Sequence, residues 1–155
     1  EGHLNQSIFA RDFLNKKKGP PPEINLFNEK NNGETLLNLI KKNYIKSAHD
    51  VSLGGIITAV AKMCIKGKKG INIKKPNYLI QQFEYLFGED QGRYIIEIEK
   101  DNFDKVEEIL SKNSVHYDEL GIVTEKDIII DSKSKVTIDE LSISSKTWLT
   151  NYMSK

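Results

Sequence analysis

The chain has 155 residues, 38% of them hydrophobic and 29% charged, with a formal net charge of +1. That length fits one ordinary domain able to bury a core without a staple, and a single cysteine permits no intrachain disulfide, so a reducing, cytoplasmic setting is expected. The near-balanced charge excludes any global attraction to nucleic acid or anionic membrane. Lys16–Lys18 and the group Lys66, Lys68, Lys69, Lys74 and Lys75 read as solvated clusters without interleaved aromatics. No apolar run approaches the roughly 18 residues of a membrane span.

In chain order, the start Glu1-Gly2-His3 lacks an initiator Met and reads as the cut end of something longer. Pro20–Pro22 form an extended connector. A first helix is predicted over residues 33–43, where Leu36, Leu37, Ile40 and Tyr44 share a face and lysines suit the C-terminal end of the dipole. Residues 44–50 read as a short strand, residues 54–67 as a helix stopped at Gly67, and residues 76–86 as another helix. In the second of these, Cys64 reads as a small buried hydrophobe.

Residues 93–100 alternate around Ile96 and Ile98 as a strand does. Residues 101–113 form a helix capped by Asp101, with Phe103, Val106 and Leu110 on one face. Residues 117–131 carry two strand-like runs around a polar turn at 124–127, which suggests a hairpin late in the chain. Residues 141–153 close it with a segment anchored by Trp148. Mixed helices and strands predict an α+β layered domain.

Two stretches could carry chemistry. Ser47–Gly55, SAHDVSLGG, lies where a strand feeds a helix, and its paired glycines let the backbone turn and leave N–H groups able to meet an anion. Asp50 there could hold a hard cation such as Mg²⁺, and His49 could orient a substrate or shuttle a proton. The same residues also fit a plain turn, with Asp50 or Ser52 as cap and Gly54 and Gly55 allowing close packing. The phosphate-loop pattern and its lysine are missing. The second stretch, LFGEDQGRY at residues 86–94, gathers Glu89, Asp90, Gln91 and Arg93 before a strand. Glu89 and Asp90 offer acceptors to hydroxyls or amides, Gln91 offers both donor and acceptor, and Arg93 can grip a phosphate or carboxylate. A surface loop with an ion pair is the other reading.

Taken together, AHDVSLGG, then a helix, then LFGEDQGRY, then LGIVTEKDIII resemble the C-terminal region of the phosphoribosylformylglycinamidine synthase subunit II family, the PurL family of purine biosynthesis. GPPPEINL resembles that family's segment before its first helix. The resemblance runs from about Leu4 to Trp148. It implies a fold like the C-terminal domain of aminoimidazole ribonucleotide synthetase: a layered α/β/α arrangement, partly ferredoxin-like. A connector over residues 1–33 and a synthetase-type domain over 34–155 are expected.

The family uses ATP and Mg²⁺ to activate the amide oxygen of formylglycinamide ribonucleotide, and ammonia then displaces phosphate to give the amidine. A glutaminase subunit supplies that ammonia, alongside a small PurS-type subunit. By pseudo-symmetry with an earlier domain of such enzymes, Asp50 resembles a metal-binding Asp, and Glu89-Asp90-Gln91 a substrate-binding stretch. The resemblance leaves the main catalytic histidine and most ATP contacts outside this chain. One departure matters: the family reads His-Asp-x-Ser-Asp-Gly-Gly, and Leu53 stands where the second Asp would be.

The expectation is therefore a structural half with no catalytic residue of its own and no tightly bound cofactor. A vestigial ligand site remains around His49, Ser52, Gly54, Gly55, Glu89, Asp90, Gln91 and Arg93, with Asp50 as its metal position. Its partners are the remaining domains of the enzyme, with a homodimer of the isolated chain expected from apolar surface left uncovered. A non-catalytic nucleotide-binding or scaffolding module is the competing reading. Relatives such as selenophosphate synthetase or a hydrogenase maturation factor are disfavoured by LFGEDQGRY.

Overall fold

Asparagine at position 25 starts a helix well ahead of the place where apolar periodicity becomes visible. In the computed structural model, which describes residues 2–16, 18–74, 76 and 78–154, the Asn25 side chain accepts a bond from the Asn28 N–H and opens α2 (Leu26–Lys41). The helix thus crosses the expected boundary at residues 33/34. A shorter helix precedes it, α1 (Ile8–Asp12), capped by Ser7, whose fully buried Oγ accepts from Ala10 N and donates to the Leu4 carbonyl. Replacing Ser7 by alanine strands the Ala10 N–H, while the Leu4 carbonyl keeps its bond from the residue 7 backbone N–H. A loss of about 1 kcal/mol in unfolding free energy is expected, measurable by urea denaturation.

The described residues fall into two compact units, Glu1–Ala59 with Ile80–Asp118, and Val60–Leu79 with Glu119–Lys155. In the first, β1 (Ser47–Asp50) and β3 (Tyr94–Glu97) pair antiparallel, Ser47 opposite Glu97 and Asp50 opposite Tyr94. A helical layer lies on this ribbon: Leu39 of α2 meets Val106 and Leu110 of α5 (Phe103–Lys112), with Ile96, Ile98, Tyr44 and Ile45 packed around them. Aliphatic burial of this kind is the main stabilising term.

Helix α4 (Gln82–Phe87) starts later than the predicted 76, since the backbone at Gln81 is still extended. Asn77 of that predicted helix, and Lys17 and Lys75 of the basic clusters, lie outside the described residues. The predicted cap Asp101 is instead part of a 3₁₀ turn (Lys100–Asn102) that runs straight into α5. Phe103 N–H bonds to the Lys100 carbonyl, so the turn meets a helix-start donor that a side chain would otherwise take.

The second unit carries a four-stranded sheet in the order β4-β2-β5-β6. Strands β4 (Gly121–Thr124) and β5 (Asp127–Ile130) are the two runs read from sequence, yet they do not pair with each other. Strand β2 (Gly70–Ile73) lies between them, antiparallel to β4 and parallel to β5. The late hairpin is β5 with β6 (Ser134–Thr137). Ile73 and Ile128 form the buried centre of this sheet, and Val60 and Cys64 from the second half of α3 (Gly55–Gly67) are buried as well.

Helix α6 (Ile138–Met153) is opened by Thr137 and Glu140, which cap one another reciprocally. It has no buried residue, and Trp148, read as an anchor, is 63% exposed and, among the described residues, stacks along its own helix on Tyr152 at 5.5 Å. Pattern recognises a large aromatic but cannot say whether a core surface lies opposite it. Helices and sheets are thus layered within an α+β fold. Among the described residues no helix is long and apolar enough to cross a membrane.

Candidate functional site

The two chemistry-bearing stretches meet within the first unit. Strand β1 brings Ser47–Asp50 alongside β3, and the ladder continues one step further as Val51 N–H bonds to the Arg93 carbonyl at 2.9 Å. Beyond it the chain turns through Gly54 (φ +83°) and Gly55 (φ +68°) into α3. The Gly55 backbone lies so close to the other stretch that a Cβ there would stand 2.7 Å from the Leu86 carbonyl oxygen and 2.8 Å from that of Gly88.

Glu89 bridges this turn to the beginning of the chain. Its Oε1 accepts from Gly54 N at 2.8 Å and from Ile8 N, the first residue of α1, at 2.9 Å. An anion at the glycine turn was expected from sequence, and the protein's own carboxylate stands there. Asp90 repeats the device: Oδ2 accepts from Gly2 N and Oδ1 from His3 N, each at 3.0 Å. Burial pushes the Asp90 carboxyl up, but the His3 N–H, the Arg93 charge and the Gly2 N–H together outweigh it and hold the group below its ordinary value.

Arg93 donates from Nη2 to the Gly88 carbonyl at 2.6 Å and lies 3.3 Å from Asp90 Oδ2. Its half-buried guanidinium therefore closes the Gly88–Arg93 loop upon itself.

Of the other predicted site residues, His49 is half-buried and Asp50, Ser52 and Gln91 face solvent. His49 Nδ1 sits 2.6 Å from the Asp50 carbonyl oxygen and 3.3 Å from Asp50 Oδ1, while the Asp50 side chain is 64% exposed. Ser52 and Gln91 are exposed, and Leu53 is 65% exposed in the position of the family's second Asp. A hard divalent cation takes several oxygen ligands. Among the described residues no three His, Cys, Asp or Glu side chains converge to hold a metal ion.

The structure thus brings Gly54, Gly55, Glu89, Asp90 and Arg93 into one knot and leaves His49, Asp50, Ser52 and Gln91 beside it or at the surface. Sequence reading missed the third component, the segment Gly2–Ile8 whose N–H groups the carboxylates hold. A Ser7 cap ahead of Ile8 and Phe9 was the signal that could have revealed it. Phe9 stacks on Phe87 at 4.6 Å and on Phe83 at 5.3 Å, which fixes α1 against α4.

Comparison with known proteins agrees with this architecture. The family model described as AIR synthase related protein, C-terminal domain, matches residues 3–133. Phosphoribosylformylglycinamidine synthase subunit PurL of Pelagibacter ubique is 72% identical over 153 residues, 99% of this chain and 21% of that subunit. The chain therefore spans about a fifth of the length of the curated relatives it matches. Among solved structures, Thermotoga maritima PurL complexed with FGAR matches 86% of this chain and 24% of its own, with a TM-score of 0.71 at 21% identity. The same protein complexed with ATP matches 73% and 21%, with a TM-score of 0.62 at 20% identity. Those two structures share the fold. By the extent of the family match, and with PurL as its high-identity relative, this chain belongs to the AIR synthase related protein, C-terminal domain, family.

Proposed function

We propose that the chain serves as the C-terminal domain of a phosphoribosylformylglycinamidine synthase, and that within it the Ser47–Gly55 and Leu86–Tyr94 pair is a ligand site converted to structural use. The observation that carries this reading is 72% identity to a PurL subunit over nearly the whole chain. The commitment of Glu89 and Asp90 to backbone N–H groups supports the structural role. His49, Asp50, Ser52 and Gln91 are the remnant of the ligand-facing side.

In the whole enzyme, ATP and Mg²⁺ activate formylglycinamide ribonucleotide in domains other than this one, and ammonia from a glutaminase subunit completes the amidine. A small PurS-type subunit joins that cytoplasmic assembly. Exposed Leu26, Phe27 and Leu79 support burial against further protein, and self-association of the isolated chain.

The test is a chimera in which this chain replaces the matching fifth of Pelagibacter ubique PurL. ATP-dependent amidine formation from formylglycinamide ribonucleotide and ammonia should stay within about threefold of the parent, because a structural domain of this identity preserves the positions of the reacting groups. The isolated chain should release no phosphate above a control without substrate. A folded but inactive chimera, or turnover by the isolated chain, would overturn the proposal. Nucleotide binding by the chimera without turnover would favour the scaffolding module.

A further inference from the structure

A cleft of about 380 Å³ opens between α2 and α5 in the first unit, lined by Asn38, Lys42, Tyr44, Lys105, Glu108 and Lys112 among others. None of its residues belongs to the two stretches discussed above. We propose that this cleft binds a small phosphate-bearing anion, with a diphosphate group as the recognised chemistry.

Charge placement carries the argument. Three lysines face one concavity with Glu108 as its single carboxylate, and among the described residues none of the three lysines is ion-paired within 4.0 Å. Lys42 caps the C-terminal end of α2 and Lys112 lies in the last turn of α5, where cations suit the helix dipole. Lys105 does not share that excuse. It stands in the first turn of α5, where a cation opposes the dipole, and is held over the Tyr44 ring at 5.4 Å with Nζ 3.3 Å from Asn102 Oδ1. Lys42 Nζ lies 5.9 Å from the same ring.

Both ammonium groups thus lie near the Tyr44 ring without a carboxylate partner among the described residues, positive charge that a bound polyanion would meet. The volume is of the size that encloses a small molecule, and the lining mixes charge with the amides of Asn38 and Asn113 and the apolar side of Ile109. Lysine used as a point charge suits phosphate. Free pyrophosphate and a nucleoside diphosphate share this chemistry.

The test is a ¹⁵N–¹H NMR titration of the 155-residue chain with inorganic pyrophosphate at low salt, then with ADP and with citrate. Saturable shifts should cluster on Asn38, Lys42, Tyr44, Lys105 and Lys112. Tighter binding of ADP would identify the nucleoside diphosphate as the source, and equal binding the diphosphate alone. The exposed double variant K42Q/K105Q should weaken pyrophosphate binding at least about tenfold, whereas K66Q on α3 should leave it unchanged. Shifts that fail to saturate or spread equally to Lys66 and Lys68 would overturn the site, as would unaltered affinity in the double variant. Citrate binding as tightly as pyrophosphate would overturn the phosphate assignment.

Discussion

Replacing Gly55 by alanine is expected to lower the unfolding free energy by about 3 kcal/mol or more. Two costs combine. At φ +68° an L-residue adopts a left-handed conformation that costs about 1–2 kcal/mol. The added Cβ then stands 2.7 Å from both the Leu86 oxygen and the Phe87 carbonyl carbon, and 2.8 Å from the Gly88 oxygen. These are backbone atoms and cannot rotate aside, so the glycine turn must move away from the Leu86–Gly88 segment and stretch the Gly54–Glu89 bond with it. Gly67 is the control: nothing lies within 4 Å of a Cβ there, and it ends a helix, so alanine should be neutral or mildly stabilising. Urea denaturation of the two variants decides. A Gly55→Ala protein within about 0.5 kcal/mol of the parent would mean that the close approach is not enforced.

Asp90→Asn is expected to cost about 2–4 kcal/mol at pH 7, with a characteristic pH dependence. The carboxylate takes N–H bonds from Gly2 and His3 on separate oxygens and faces Arg93, and its side chain is 12% exposed. An amide retains one acceptor oxygen and turns an NH₂ toward the other donor. Hydrogen bonds to a charged acceptor are worth about 1.5–3 kcal/mol, and an unpaired buried donor costs more than the mean neutral bond. Because the folded carboxyl titrates below its ordinary value of 3.8, its contribution is fully present above that value and is lost as the pH falls through the lowered one. The gap between parent and variant should therefore be full at pH 7 and narrow below pH 3.8. Urea midpoints at pH 7 and pH 3 measure this, and an equal gap at both would remove Asp90 from the role given to it.

Both predictions concern residues that the sequence marks as unusual without saying why. A pair of glycines at a strand-to-helix junction fits an anion-binding turn and a packing turn equally well. Glu89, Asp90 and Arg93 before a strand fit a ligand-reading loop and a self-bonded one. The choice depends on where Gly2–Ile8 goes, a segment 81 residues distant from Glu89 at the Ile8 contact. Side-chain periodicity contains no term for such a partner.

The features legible in the amino-acid order are local ones. Apolar spacing identified α5, whose Val106 and Leu110 are buried on one face, and the Ile96–Ile98 alternation marked β3, while α3, β1, β4 and β5 were legible as short apolar or β-branched runs bounded by glycine and polar residues. The motif order AHDVSLGG followed by LFGEDQGRY was enough for the family resemblance. Short or polar elements escaped: β2 has only Ile71 and Ile73 to mark it among lysines, β6 is Ser-Lys-Val-Thr, and the start of α2 is rich in asparagine. Long-range contacts set the entry of β2 between β4 and β5, the exposure of Trp148, and the engagement of two carboxylates in a ligand-like motif by the chain's own amides. The physical reason is common to all three: strand order, burial of a given face and the partner of a charged group are set by groups distant in sequence, whose free energy of meeting no local pattern records.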